Sequence, residues 1–240
     1  MELDGQVIAI TGASAGIGAT TARLLAARGA RVVLGARREE ALARVVAEIE
    51  ADGGQATACA MDVTRPEDLR RLVALAVERF GRLDALVSNA GTATVAPLAD
   101  GTLADWDRMV DVNLRGVLHG IAAALPLFTA QGAGHFVTVT STSSIKWVPG
   151  QGVYAATKAG VRALCEVLRQ EVGPEIRVTV VCPGATLTEF TVGGTDPELR
   201  ERMAAIAMAP DAVAEAIAYA LAQPAGVNIG EIVVRSAAQP

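Results

Sequence analysis

Seven short apolar runs, each separated from the next by a longer segment of helical periodicity, restrict this chain to few folds. The runs are QVIAIT, ARVVLGA, ATACAMD, LDALVSN, GHFVTVTS, IRVTVVC and GEIVVR. Most are near-continuous in Val, Ile, Leu and Ala, as strands buried on both faces are, and lack the strict alternation of a half-exposed strand. Helical patterns lie at 18–28, 39–51, 67–80, 155–172 and 211–222, with two more expected within 105–130. Strand–helix alternation builds right-handed βαβ units, so the expected architecture is α/β, with a mostly parallel seven-stranded sheet covered by helices on both faces. No repeat or internal boundary divides residues 1–240, which read as one domain. The segment 186–208 is too long and polar for a plain connection and reads as a substrate lid.

Composition excludes several functions. Lys plus Arg number 21 against 26 Asp plus Glu, so no basic surplus points to nucleic acid. The N-terminus, MELDGQ, carries two acids and no apolar signal core. The longest apolar stretch, 116–128, is interrupted by His119 and Pro126 and reads as too short to span a membrane. Cys59, Cys165 and Cys182 are scattered without metal-ligand spacing and read as reduced thiols, which suits the cytoplasm. His119 and His135 are too isolated to suggest a metal site.

The first strand runs into TGASAGIG, Thr11 to Gly18, which also holds Ser14 and Ile17. Gly12, Gly16 and Gly18 let the backbone turn sharply and let a pyrophosphate approach the N-terminus of the next helix. The spacing is neither G-x-G-x-x-G nor that of a phosphate loop ending in Gly-Lys-Ser/Thr. Sheets that bind NAD place an acid at the end of the second strand for the ribose hydroxyls. Here Ala36 stands there, followed by Arg37 and Arg38, whose guanidinium groups suit the 2′-phosphate of NADP. A solvated helix start, with the arginines pairing to Glu39 or Glu40, is the plainer alternative. After the third strand Asp62, with Val63 beside it, is placed to take the adenine amino group. After the fourth, SNAG supplies Asn89, Ala90 and Gly91 where a cofactor backbone must pass.

The stretch STSSIKWVPGQGVYAATK carries the chemistry. Tyr154 and Lys158 stand four residues apart at the start of a helix, hence on one face, and Ser141 lies thirteen residues before Tyr154. A phenol titrates near pH ~10, and a nearby cation lowers that value towards the working range of a general acid or base. The serine hydroxyl is suited to holding a carbonyl oxygen. Ser143 and Trp147, on the loop that follows, are candidate substrate contacts, although Trp147 is equally placed to pack at a subunit interface.

Together, TGASAGIG, NAG, Asn113 in VNLRG, Ser141, YAATK and the PG at Pro183 resemble the short-chain dehydrogenase/reductase family, over essentially the whole chain. The resemblance implies a single Rossmann-type, doubly wound domain, a homo-oligomer (tetramer or dimer), and NADP(H) as cofactor. It implies Tyr154 as general acid or base, Ser141 orienting the carbonyl, and Lys158 lowering the tyrosine pKa and holding the nicotinamide ribose. Asn113 is implied to fix a proton-relaying water, and Pro183, Gly184, Thr186 and Thr188 to cover the nicotinamide. PGATLTEF and the ending EIVVRSAAQP are most similar to the NADP-dependent clavulanate-dehydrogenase and serine-3-dehydrogenase group. Ser88, where Asn is commoner, is a departure read as harmless. The implied activity is hydride transfer between the cofactor and a carbonyl or secondary alcohol. The alternatives are a nucleotide-binding regulatory protein without turnover, and a dehydratase or epimerase that uses its nucleotide transiently.

Overall fold

The computed structural model describes residues 3–188, 201 and 205–239, and each of the seven apolar runs is a strand in it. They are β1 (Val7–Thr11), β2 (Arg31–Ala36), β3 (Gln55–Ala60), β4 (Ala85–Ser88), β5 (Gly134–Val139), β6 (Ile176–Pro183) and β7 (Glu231–Val234). All pair in parallel, in the order β3-β2-β1-β4-β5-β6-β7. The helices between them are α1 (Gly16–Ala27), α2 (Glu39–Ala51), α3 (Pro66–Phe80), α4 (Leu103–Val110), α5 (Gly116–Gln131), α6 (Gly152–Glu171) and α7 (Pro210–Leu221). The strand order reverses between β1 and β4, which opens a crevice beyond the carboxyl ends of the strands, where sheets of this kind bind ligands.

Because strand side chains alternate, the sheet has two cores. Ile8, Ile10, Val32 and Leu34 face Leu25 of α1, Leu42 of α2 and Ile217 of α7. Val7, Ala9, Leu86 and Phe136 face Leu72 of α3, Phe128 of α5 and Leu168 of α6.

The two helices expected within 105–130 are one continuous run, Leu103–Gln131, of 29 residues. Its middle, Asp111–Arg115, is a π turn, in which the Gly116 N–H reaches back five residues to the Asp111 carbonyl. Neither His119 nor Pro126 interrupts it, so its length and composition would suffice to cross a bilayer, contrary to the reading of 116–128 as too short. Here Val117, Ala124 and Phe128 are packed in the core against the sheet. Phe128 meets Phe136 edge-on, with ring centroids 5.0 Å apart.

Of the segment 186–208 expected to act as a lid, residues 189–200 and 202–204 lie outside the described residues. Its two ends are joined. Thr186 pairs in parallel with Met208, the Leu187 N–H donates to the Met208 carbonyl at 2.8 Å, and the Met208 N–H to the Ala185 carbonyl at 2.9 Å.

Candidate active site

The floor of the crevice is the glycine turn, stitched to the end of β4. Thr11 Oγ1 accepts from the backbone N–H of Asn89 (3.0 Å) and of Ala90 (3.1 Å). Asn89 Nδ2 donates back to the carbonyls of Thr11 (3.0 Å) and Gly12 (3.3 Å). Gly12 has φ +68°, and a Cβ there would come within 2.9 Å of the Ala90 Cα. A Cβ on Gly18 would stand 2.6 Å from Asn89 Nδ2 and overlap the Gly12 carbonyl. A side chain at either position would push the glycine turn away from the end of β4, and with it the N-terminus of α1, where an anion is favoured. Ile17 packs behind this turn against the core. Thr188 lies above it, its Cγ2 3.0 Å from where a Cβ on Gly16 would be.

At the adenosine end, Arg37 and Arg38 are both exposed at the carboxyl end of β2. Arg38 Nε donates to Ser14 Oγ at 3.3 Å, which places its guanidinium at the edge of the glycine turn. Arg37 makes no hydrogen bond or ion pair with any described residue. Asp62 Oδ1 accepts from the N–H and Oγ1 of Thr64, both at 2.9 Å. The buried Asp68 fixes this corner by accepting from the Asp62 N–H at 2.8 Å. Val63 packs close to Gly116, and its carbonyl lies 2.9 Å from His119 Nδ1. His119 is therefore a helix side chain tied to a turn, and no His/Cys/Asp/Glu cluster fit for a metal occurs among the described residues.

On the other side of the crevice, β5 delivers Ser141 and the first turn of α6 delivers Tyr154, and their hydroxyls are hydrogen-bonded. Ser141 Oγ also accepts from the Ser143 N–H at 3.1 Å and lies 3.2 Å from Ser143 Oγ. Ser143 in turn donates to Gln151 Oε1 at 2.7 Å, so it steadies Ser141 from behind. Lys158 is almost wholly buried and donates from Nζ to the Val139 carbonyl at 3.0 Å, 5.9 Å from the centre of the Tyr154 ring. Burial holds its pKa down to about 8, a loss opposed by the Cys182 thiol nearby. Tyr154 departs from the sequence expectation. Burial pushes its phenol above the usual value, and the hydrogen bond to Ser141 opposes that rise.

Asn113 is buried at the π turn and clamps the NAG turn, accepting at Oδ1 from the Thr92 N–H (2.8 Å) and donating from Nδ2 to the Thr92 carbonyl (2.8 Å). The same amide donates to Thr157 Oγ1 at 3.2 Å, and that hydroxyl donates to the Tyr154 carbonyl at 2.8 Å. A Cβ on Gly91 would stand 3.5 Å from Asn113 Oδ1 and 3.6 Å from Lys158 Nζ, so three elements converge there. Pro183 ends β6, and Gly184 continues its pairing, the N–H donating to the Val234 carbonyl at 2.7 Å. Thr186 is buried with Oγ1 on the Gly184 carbonyl at 3.0 Å. Trp147 stands 74% exposed on the rim. Gln151, Thr157 and Asp68 join the site without a motif of their own in the sequence.

A doubly wound parallel sheet, a glycine cradle at its switch point and a Ser–Tyr–Lys cluster facing it across the crevice define a dinucleotide-dependent α/β oxidoreductase. The chain belongs to the short-chain dehydrogenase/reductase family, whose model, described as short chain dehydrogenase, matches residues 6–198. It is 44% identical to an uncharacterised oxidoreductase of Listeria monocytogenes, Lmo0432, with 100% of both chains covered. Among solved structures, an alcohol dehydrogenase of the archaeon Thermococcus sibiricus complexed with 5-hydroxy-NADP superposes with a TM-score of 0.88 at 33% identity, covering 98% of each chain. The closed form of a serine dehydrogenase complexed with NADP+ superposes with a TM-score of 0.91 at 29% identity, over 98% of this chain and 96% of that one. The fold thus brings a nicotinamide dinucleotide, NAD or NADP, as cofactor.

Proposed function

We propose that the protein is an NADP(H)-dependent carbonyl reductase, and in reverse a secondary-alcohol dehydrogenase, with Tyr154 as its general acid or base. The observation that carries this reading is the hydrogen-bonded Ser141–Tyr154 pair beside the buried Lys158. Gly12, Gly16 and Gly18 would cradle the pyrophosphate, with Asp62 and Val63 at the adenine and Arg37 and Arg38 at a 2′-phosphate. Asn89, Ala90 and Gly91, with Tyr154 and Lys158, would hold the nicotinamide ribose, and Pro183–Thr188 would cover the ring. When bound, the cofactor supplies or accepts the hydride.

The chain's own groups do the rest. The Ser141 and Tyr154 hydroxyls converge, so both can hydrogen-bond one carbonyl oxygen and polarise it. Tyr154 then donates its proton to that oxygen. Burial raises the phenol's pKa, so it is protonated at neutral pH, the state that reduction requires. Lys158, charged below its pKa of about 8, stabilises the phenolate that remains. Asn113 holds Thr92 and Thr157 in place behind the tyrosine, where a relaying water would be fixed.

The substrate reading is a small, largely uncharged ketone, aldehyde or alcohol. Val95, Leu98, Trp147 and Val148 are exposed on the two segments flanking the start of α6. Lys146 is the single charge in 92–98 and 145–151. Within the family, the chain's C-terminal third supports placement near the NADP-dependent serine-3-dehydrogenase group. Three cysteines outside any disulfide support the cytoplasm, and exposed Leu118 and Val167 on α5 and α6 support a homo-oligomer.

The test is NADPH consumption across a panel of ketones, aldehydes and hydroxy acids, with products identified, in wild type and Tyr154→Phe. Turnover should fall at least ~10²–10⁴-fold in the variant while NADPH affinity and melting temperature hold. A variant keeping more than about a tenth of the activity would remove Tyr154 from the role assigned to it. Tight NADPH binding without consumption across the panel would return the regulatory-protein reading; product formed without net consumption would return the dehydratase or epimerase.

A further inference from the structure

We infer that Gln239, next to the last residue of the chain, is a positioning residue for the cofactor crevice. Its carboxamide clamps Ala185 and so holds the Pro183–Thr188 segment over the glycine turn. The β6–β7 ladder ends at the pair Pro183 and Val234, and the Gly184 N–H still reaches the Val234 carbonyl at 2.7 Å. One residue further, the Ala185 N–H has no strand to pair with. The chain supplies a side chain instead: Ala185 N–H donates to Gln239 Oε1 at 3.0 Å, across 54 residues.

The tail is shaped for this contact. After β7 it turns on Ser236, whose carbonyl accepts from the Gln239 N–H at 3.0 Å and whose Oγ accepts from the Ala238 N–H at 3.2 Å. That turn brings the Gln239 side chain back onto β6. Gly184 is required there for a reason of space, since a Cβ on it would overlap Gln239 Oε1. Ala185 is thus gripped on both sides, its N–H by the tail and its carbonyl by the Met208 N–H at 2.9 Å. Three residues on, Thr188 rests against Gly16. Release of Ala185 therefore loosens the wall that borders the cradle from above.

This inference rests on the cofactor reading given above, and the experiment separates the two. Gln239→Met keeps the length of the side chain and removes the acceptor; Gln239→Glu keeps the acceptor. In the full chain without cofactor, amide exchange at Ala185 should accelerate in Gln239→Met and stay near wild type in Gln239→Glu. NADPH affinity, read by cofactor fluorescence, should fall roughly 2–10-fold in Gln239→Met, the loss expected of one neutral hydrogen bond. Gln239→Glu should retain it, and both variants should melt with wild type. Faster exchange with unchanged NADPH affinity would overturn the positioning role, as would equal losses in the two variants. A wild type that binds neither NADPH nor NADH would overturn the cofactor reading and the positioning role with it.

Discussion

Cofactor choice should be decided by two arginines, and the structure allows the size of the effect to be worked out. Arg37 and Arg38 are exposed at the end of β2, with Arg38 Nε 3.3 Å from Ser14 Oγ at the lip of the cradle. A hydrogen bond to a charged group is worth about 1.5–3 kcal/mol. Solvent screening at exposed side chains argues for the lower end. About 1.4 kcal/mol is a factor of ten, so each arginine that grips a 2′-phosphate contributes roughly tenfold. Wild type should prefer NADPH over NADH by at least about tenfold in kcat/KM. Arg37→Ala and Arg38→Ala should each cost about that factor with NADPH and little with NADH. Ala36→Asp combined with Arg37→Asn should invert the preference, because a carboxylate accepts from ribose hydroxyls and repels a phosphate. Ala36 is itself buried at the strand end, so some stability is lost with it. The assay is kcat/KM with both cofactors at fixed ionic strength, repeated at higher salt, where the preference should shrink as the charges are screened. Equal use of NADH by wild type would refute the reasoning. So would an Arg38→Ala loss that is the same for both cofactors, since that would make Arg38 a brace for Ser14 and the glycine turn.

Two further outcomes follow from the buried polar groups. Burial lowers the Lys158 pKa from 10.5 to about 8, so the unfolded chain binds more protons between those values and wild-type stability should rise with pH across that window. Below pH 8 the penalty is complete, up to about 3 kcal/mol; urea titrations of Lys158→Met should lack this rise, and an identical pH profile in both proteins would refute the charged, buried lysine. Asn113→Ala removes both bonds that the amide makes to Thr92 and the one to Thr157. It should cost roughly 1–3 kcal/mol for the polar groups left unpaired, and undiminished stability by chemical denaturation would show that water replaces the amide at no cost.

The sheet was legible because its five inner strands are apolar runs rich in Val, Ile and Leu; the edge strand β3, QATACA, has none of these and was legible from its place in the strand–helix alternation. The helix through 103–131 was not, because Pro126 and His119 look like interruptions and an i→i+5 turn leaves no periodic signature in the residues. The cluster of Ser141, Tyr154 and Lys158 was legible from spacing along one helix and its preceding strand. Its electrostatics were not: proximity of a cation can be guessed from four residues' separation, whereas burial depends on the whole fold, and burial dominates both titrations. Partners far apart in sequence were invisible for the same reason. Asn89 with Thr11 and Ala185 with Gln239 meet only once the strands are in register.

The π turn is an insertion that the helix carries without losing its phase. Met109 and Phe128 are both buried although 19 residues apart. At ~100° per residue a regular α-helix would leave them about 100° out of step. A turn that takes up one surplus residue brings the count to 18, or five whole revolutions at ~3.6 residues each. A chain shorter by one residue within Asp111–Arg115 would still lay the same helix on the same sheet. What it would lose is the widened loop of backbone from which Asn113 reaches Thr92 and Thr157. The surplus residue therefore serves the crevice and not the packing.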